Sequence, residues 1–592
     1  MFQLFSYPIL RRCVGLISGI IWLGACATDQ QVDHRATPEA GGQWQIKSAV
    51  SAKKSMISVA NPHAAQAGYR ILRAGGNAID AAIAAQLVLN LVEPQSSGIG
   101  GGGFLMMYDP KMQAVISFDG RETAPMTATP DLFIKEDGNK MGFFEAAVGG
   151  RAVGTPGLVH MLYDAHQKYG RISWPLLFDQ AIRLAEKGFE VSERLHLLIK
   201  KDKFLKNDPV ARAYFYQEDG TPLPVGHLLK NPAFADSLRE IQKGGAAAFY
   251  QGKLADEIVA KVQSHPTNPG QLSFADMQRY HTVMRKPVCL TYRAYDVCGM
   301  APPSSGGVTV SEILGLMEQY DLNNDPKPTI DRAHLLLEAS KLAFADRNHF
   351  LADPDFVKVP TDELLTKSYL TGRQTLIQHD SALATPVAPG GPFLYSQAYA
   401  PHDTDHGVST THMSIVDADG MVVSMTTSIE NAFGSRQMVG GFLLNNQLTD
   451  FSFAPEKNGV KVANRVEARK RPRSSMAPTI VLDHKTQKPV LAIGSPGGSR
   501  IIGYVAQSLI AILDDKLPLD QALMQGHLTN RNGSSDLEKG TEAVVQKAKL
   551  EALGHKVNLK EMTSGLHAIQ ILPDGTLIGA ADPRREGAVN GF

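Results

Sequence analysis

Residues 411–429 constrain this chain most. His412-Met413-Ser414-Ile415-Val416 and Met421-Val422-Val423-Ser424-Met425-Thr426-Thr427-Ser428-Ile429 are β-rich runs around Asp417-Ala418-Asp419-Gly420. Two such runs about a turn of this composition read as a β-hairpin. Shorter strand-like runs lie at 56–60, 441–444, 479–482, 490–493 and 568–572. Helical patterns stand among them. Residues 62–74 open on Pro62 and stop at Gly75-Gly76, Asn77 caps an apolar helix over 78–91, and 330–347 is another nearly buried helix. Hairpins and helices in one chain predict a mixed α and β class with antiparallel pairing.

Length divided by about 150 residues per domain suggests about four domains, but no internal repeat or low-complexity tract divides the 592 residues. Lys plus Arg number 59 and Asp plus Glu number 59. The basic excess with which a nucleic-acid binder attracts phosphate is therefore missing, and nucleic acid is not an expected partner. Four cysteines in a chain this long exclude a small disulfide-stapled scaffold.

The N-terminus reads as an address. Arg11-Arg12 precedes the apolar run Val14-Gly15-Leu16-Ile17-Ser18-Gly19-Ile20-Ile21-Trp22-Leu23, the pattern of a secretory signal over residues 1–25. Leu23-Gly24-Ala25-Cys26 resembles the bacterial lipobox, which implies a lipid on Cys26 that anchors the exported, periplasmic body to a membrane. Residues 26–52 are then a polar tether. Cys289 and Cys298 remain. A two-residue loop at Arg293-Ala294 sets them opposite each other as a close, non-hydrogen-bonded pair. A cross-strand disulfide and two half-buried free thiols both stay open.

Several motifs lead nowhere. Gly98-Ile99-Gly100-Gly101-Gly102-Gly103 matches GxGxxG but follows a helix and precedes a strand, the reverse of a dinucleotide site; a tight turn beside a site is the better reading. Ser51-Ala52-Lys53-Lys54 matches SxxK without a Lys-Thr-Gly partner. His402 and His406, with Asp403 and Asp405, read as a solvated polar loop. No metal and no cofactor is expected.

One junction carries chemistry. The polar loop ending Asp405-His406-Gly407-Val408-Ser409 meets Thr410-Thr411-His412 and the hairpin. A threonine hydroxyl is a weak nucleophile unless a base takes its proton. A cut before Thr410 would free an α-amine, with an ordinary pKa of about 7.7–8.0, within one residue's reach of that hydroxyl.

Here the chain resembles the gamma-glutamyltranspeptidase family of N-terminal-nucleophile hydrolases. The likeness runs from about residue 56 to the end. It is carried by Ser96-Ser97-Gly98-Ile99-Gly100-Gly101-Gly102, Asp119-Gly120-Arg121-Glu122-Thr123-Ala124-Pro125, Val153-Gly154-Thr155-Pro156-Gly157 and Pro302-Pro303-Ser304-Ser305-Gly306-Gly307. Past the junction it continues through Leu444-Asn445-Asn446-Gln447-Leu448-Thr449-Asp450-Phe451, Arg473-Ser474-Ser475-Met476-Ala477-Pro478-Thr479 and Gly494-Ser495-Pro496-Gly497-Gly498-Ser499-Arg500.

The resemblance implies an αββα sandwich, two antiparallel sheets between helical layers. It implies self-cleavage at Ser409-Thr410 into a large chain (53–409 after the tether) and a small chain (410–592) that stay together as a heterodimer. The substrates implied are glutathione or other γ-glutamyl amides, the acyl group passing from Thr410 to water or to an acceptor amino acid or peptide. Gly497 and Gly498 match oxyanion-hole glycines, whose backbone N–H groups face developing charge. Arg121 matches the arginine for the substrate α-carboxylate, a task for a bidentate guanidinium, with Ser474 and Ser475 as further donors. Gln447 and Asp450 match acceptors for the α-ammonium.

Two positions depart from the pattern of many members. Ser428 replaces threonine but keeps the hydroxyl near the nucleophile's amine. Glu430 replaces asparagine, setting a second carboxylate beside Asp450. The segment from Asp450 to Ser474 is also short and lacks tyrosine, a departure from the family's lid over the site. Two other functions compete: a cephalosporin (glutaryl) acylase of the same superfamily, and a lipid-anchored binding protein without catalysis. The acidic pair argues against the first, and the presence of Thr410 and the glycines against the second.

Overall fold

The computed structural model describes residues 44–320, 331–391, 399–402 and 409–592. The signal, Cys26, Asp403, Asp405 and His406 lie outside the described residues.

The strands that matter are β1 (Val50–Ala52), β2 (Met56–Val59), β3 (Gly102–Asp109), β4 (Ala114–Gly120), β5 (Val283–Arg285), β6 (Val288–Tyr292) and β7 (Tyr295–Gly299). After the junction come β8 (Ser409–Val416), β9 (Val422–Glu430), β10 (Thr479–Asp483), β11 (Pro489–Gly494), β12 (His567–Ile571), β13 (Leu577–Ala581) and β14 (Ala588–Gly591). They build two seven-stranded sheets, ordered β14-β2-β8-β9-β3-β4-β5 and β1-β13-β12-β11-β10-β7-β6. Every pairing in both sheets is antiparallel.

The period of two along β3 shows why the sheets stack. Leu105 and Met107 join the core beneath helices α1 (Pro62–Arg73) and α2 (Ala78–Val92). Phe104, Met106 and Tyr108 face the other way, into the core shared with Ile480, Val481 and Ile493 of the second sheet. Helices α3 (Gly306–Met317), α4 (Arg332–Phe350) and α5 (Arg500–Leu513) close that second core. Helix, sheet, sheet, helix is the αββα sandwich expected from the resemblance.

Local chemistry fixes the element boundaries. Asn61 caps α1 through His63 N at 2.9 Å, with Pro62 at its first position. Asn77 and Asp80 form a reciprocal capping box on α2 at 3.0 Å in both directions, an arrangement worth about 1 kcal/mol. Helix α2 is buried along its whole length, so its polar residues need partners. Gln86 meets Ser97 and Thr427, and Asn90 accepts from Ile99 N at 2.8 Å. These bonds tie the glycine-rich turn to β9. At Gly101 a Cβ would stand 2.2 Å from the Ser428 carbonyl oxygen, so the turn needs glycine for close approach, not for a nucleotide.

The hairpin β6–β7 sets Tyr292 opposite Tyr295 and Cys289 opposite Cys298. The two cysteines are disulfide-bonded, their Cα atoms 4.1 Å apart, and Arg293 takes the positive φ of 56° that the tight loop demands. Two expectations are corrected. The tether ends earlier than residue 52, because Val50–Ala52 pairs with β13 and Lys47 Nζ donates to the carbonyls of Arg585 and Gly587 at 2.5 and 2.8 Å. His402 is not solvated: it is 5% exposed, and its carbonyl accepts from Arg473 Nη2 at 3.1 Å. No helix among the described residues is long and apolar enough to cross a membrane.

Candidate active site

Strands β8 and β9 carry the junction. Ser409 pairs with Glu430 and Thr411 with Thr427, so the register shifts at a bulge that sets Ser428 and Ile429 opposite Thr410. Bulges re-aim side chains, and this one brings Ser428 onto the junction. Its Oγ donates to the Ser409 carbonyl oxygen at 2.8 Å, and accepts from Thr410 Oγ1 at 3.3 Å and Glu430 N at 2.9 Å. One donation and two acceptances use the full capacity of a hydroxyl. Thr410 is 4% exposed, and its own carbonyl accepts from Arg585 Nη1 at 3.3 Å.

Thr410, Ser428 and Glu430 open onto one small pocket together with Arg121, Gln447, Asp450, Ser474, Ser475 and Gly498. Every side-chain position expected at the site is therefore brought together. Gly497 is next to Gly498 but does not line the pocket. The two glycines have φ of 135° and 60° and immediately precede Ser499, the N-cap of α5. Their N–H groups thus sit at the positive end of a helix, where negative charge is stabilised.

Opposite charges pair directly in the wall of the pocket. Arg121 is fully buried, held by the Pro472 and Arg473 carbonyls at 3.1 Å each, and its Nη2 lies 2.5 Å from Asp450 Oδ2. Gln447 Nε2 donates to the same oxygen at 2.8 Å, leaving Gln447 Oε1 without a hydrogen-bond partner among the described residues. Glu430 Oε2 accepts from Asn446, and its Oε1 likewise has no partner. Burial, reinforced by the Asp450 charge, pushes the Glu430 carboxyl well above the usual carboxylate range. Behind Arg121, burial pushes Glu122 up to about 8.

Sequence reasoning missed Arg347, which lines the pocket from the last turn of α4 and donates to Ser475 Oγ at 2.6 Å. Nothing near residue 347 in sequence points to residue 475; only the fold joins them. Arg473 and Asn446 lay inside quoted motifs but received no role. Both contribute here, Arg473 as pocket wall and Asn446 as the donor to Glu430.

Among the described residues one group has metal-ligand chemistry, His334, Glu338 and His555. His334 Nδ1 and His555 Nε2 are 2.7 Å apart, while Lys341 Nζ is 2.6 Å from Glu338 Oε1. The lysine ammonium already neutralises the carboxylate and the histidines satisfy each other, so hydrogen bonding accounts for the group without a cation. None of the three lines the Thr410 pocket.

Known proteins resemble this chain along most of its length. The family model described as Gamma-glutamyltranspeptidase matches residues 64–592. The glutathione hydrolase proenzyme of Bacillus subtilis (strain 168) is 37% identical over 563 residues, 91% of this chain and 92% of that protein. That of Escherichia coli (strain K12) is 36% identical over 573 residues, 95% and 96% of the two chains. The acylase ACY 1 proenzyme of Pseudomonas sp. (strain SE83) is 33% identical, covering 91% and 94%. Among solved structures, cephalosporin acylase from Bacillus halodurans superposes with a TM-score of 0.80 at 28% identity over 93% of this chain and 97% of that one. The gamma-glutamyltranspeptidase of Helicobacter pylori does so with 0.52 at 32% identity, over 58% and 95%. By family model, relatives and fold together, the chain belongs to the gamma-glutamyltranspeptidase family of N-terminal-nucleophile hydrolases.

Proposed function

We propose that this protein cuts itself between Ser409 and Thr410 and then cleaves γ-glutamyl amides such as glutathione, transferring the acyl group to water or to an amine. The observation that carries this reading is the placing of Thr410 in one pocket with the Arg121–Asp450 ion pair. An α-amino acid brings a carboxylate and an ammonium of its own. It exchanges that one ion pair for two, with Glu430 and the Gln447 amide oxygen as further acceptors for the ammonium.

In the precursor, Thr410 Oγ1 attacks the Ser409 carbonyl carbon. Its proton passes to Ser428, whose own proton goes to the carbonyl oxygen. Collapse re-forms the carbonyl and breaks the Ser409–Thr410 C–N bond, the proton on the former carbonyl oxygen passing to the nitrogen, which leaves as the Thr410 α-amine, and water then opens the resulting ester. In the mature enzyme that α-amine takes the hydroxyl proton as Oγ1 attacks the substrate γ-carbonyl. The Gly497-Gly498 turn, of which Gly498 lines the pocket, supplies the backbone N–H donors for the oxyanion. The amine of the substrate departs with the proton, and water or an acceptor amine then releases the γ-glutamyl ester.

Cleavage would give a large chain ending at Ser409 and a small chain from Thr410 to Phe592, with export and a lipid on Cys26 placing the pair at a membrane. The glutaryl acylase alternative draws support from the acylase relatives. A glutaryl group lacks the amine for which Glu430 and Asp450 are arranged. The deciding experiment sets wild type beside Thr410→Ala on a denaturing gel and compares γ-glutamyl with glutaryl p-nitroanilide. Two bands for wild type, one for the variant and a preference for the γ-glutamyl anilide are expected. An intact but active wild type sinks the mechanism, and a glutaryl preference sinks the substrate.

A further inference from the structure

Ser475 is expected to donate a hydrogen bond to the substrate α-carboxylate, yet a hydroxyl can turn either way. What surrounds it decides. Arg347 Nη2 donates to Ser475 Oγ at 2.6 Å, Nε donates to Ser305 Oγ at 3.0 Å, and Nη1 donates to Asn348 Oδ1 at 2.8 Å. The guanidinium lies 5.2 Å from the ring centre of Phe344, one turn earlier on α4, and the side chain is buried at 3% exposure. Ser305 in turn passes both its N–H and its Oγ–H to the Ser474 carbonyl, at 2.8 and 2.7 Å.

A guanidinium has donors and no acceptor. Every bond it makes therefore runs outward, and Ser475 Oγ must accept. The hydroxyl proton is then left for the pocket side. Ser305 works to the same end by fixing the peptide between Ser474 and Ser475. The Pro302-Pro303-Ser304-Ser305-Gly306-Gly307 motif thereby gains a purpose that the sequence alone did not assign: it joins α4 to the two serines.

We propose that Arg347 is a positioning residue for substrate recognition, polarising Ser475 so that its hydroxyl presents a proton to the α-carboxylate of a γ-glutamyl substrate. This rests on the γ-glutamyl reading above. It also makes recognition shared between chains, since Arg347 and Ser305 precede the junction and Ser474 and Ser475 follow it. Lysine is not an equivalent substitute, because one ammonium cannot hold Ser305, Asn348 and Ser475 in a planar fork.

The test compares Arg347→Gln, Ser475→Ala and the double variant with wild type. Substrates are γ-glutamyl p-nitroanilide and 4-aminobutyryl p-nitroanilide, which lacks the α-carboxylate. Cleavage into two chains on a denaturing gel reports folding. For Arg347→Gln, KM for the γ-glutamyl anilide rises about tenfold, kcat falls less, and the kcat/KM preference for γ-glutamyl over 4-aminobutyryl shrinks about tenfold. The double variant loses little more than Ser475→Ala alone, since the two residues act as one unit.

Equal loss on both substrates, or additive effects, overturns the proposal in favour of a purely structural role. If Arg347→Gln does not accumulate as cleaved protein, Ser305→Ala replaces it, removing only the hydroxyl that holds Nε. A cleaved Ser305→Ala protein with wild-type KM and wild-type substrate preference also overturns it. Failure of the γ-glutamyl reading shows separately, as a wild type that prefers glutaryl anilide.

Discussion

Ser428 Oγ donates a 2.8 Å hydrogen bond to the carbonyl oxygen of Ser409, while Thr410 Oγ1 donates to the same Ser428 from 3.3 Å. In the proposed self-cleavage, one side chain thus touches both the attacking oxygen and the carbonyl oxygen of the bond to be cut. Removing a donor aimed at such an oxygen typically costs about 10²–10³ in rate. Ser428→Ala is expected to slow the appearance of two chains on a denaturing gel by that order, and Ser428→Thr to cleave at near wild-type speed. Cleavage of Ser428→Ala at the wild-type rate would remove Ser428 from the mechanism.

The Gly497-Gly498 turn makes a second demand. Gly497 has φ of 135°, and a Cβ there would stand 2.6 Å from the Tyr504 ring. A non-glycine residue in this region costs about 1–3 kcal/mol, and relaxation would shift the adjoining Gly498, which lines the pocket. Gly497→Ala is expected to lower Tm and to cut kcat about 100-fold with a smaller change in KM. Steady-state kinetics on the cleaved variant check this, and an unchanged kcat would place the oxyanion elsewhere.

A buried chain of hydrogen bonds fastens the parts on either side of the junction. Ser535 Oγ meets His555 Nδ1 at 3.1 Å, His555 Nε2 meets His334 Nδ1 at 2.7 Å, and His334 Nε2 meets the Gln378 carbonyl at 2.9 Å. Burial, then the charge of Lys341, then His334, press His555 down to about 3. Its folded value lies below the unfolded value of about 6.5, so the unfolded chain binds the proton first. The stabilising contribution of His555 is present above pH 6.5 and fades as pH falls from 6.5 toward 3. His555→Gln should therefore lower Tm at pH 7.5, and the gap to wild type should narrow steadily down to pH 4.5. The carboxyls Glu122 and Glu430, pushed upward, act with the opposite sign but are common to both proteins. A pH-independent gap would mean that His555 does not titrate in this way.

The Cys289–Cys298 bond closes a short loop at the edge of the second sheet. Loop-closure entropy for about ten residues corresponds to roughly 2–3 kcal/mol. Thiol titration of the denatured body should find both cysteines only after reductant is added. Cys298→Ser should speed amide exchange in β6 and β7 well before Tm of the whole falls. Two titratable thiols without reductant would contradict the bond.

How much of this was legible depended on the range of the interactions. The β8–β9 hairpin, α1, α2 and the cysteine register follow from local periodicity, caps and a turn, and the structure places them within a few residues of expectation. The Thr410 junction was legible because the proposed nucleophile and its nascent base belong to one residue. Arg121 and Asp450 came through resemblance, but their direct pairing did not, because it joins residues 329 positions apart. Arg347 escaped for the same reason. The short strands β1, β5 and β14 escaped because three or four residues carry too little pattern once neighbours supply the pairing. His402 was misread since polar flanks suggested solvent, whereas Arg473 and Asn464 bury it from far along the chain.

The strand orders carry one more consequence. From edge to edge, the first sheet alternates between strands that follow the junction and strands that precede it: β14 after, β2 before, β8 and β9 after, β3 to β5 before. The second sheet clasps four later strands between earlier ones. A cut at Ser409 therefore separates nothing; it only erases the covalent order by which the strands found their neighbours. A mature particle once unravelled would have to bring two separate chains together, without the effective concentration that one continuous chain supplies.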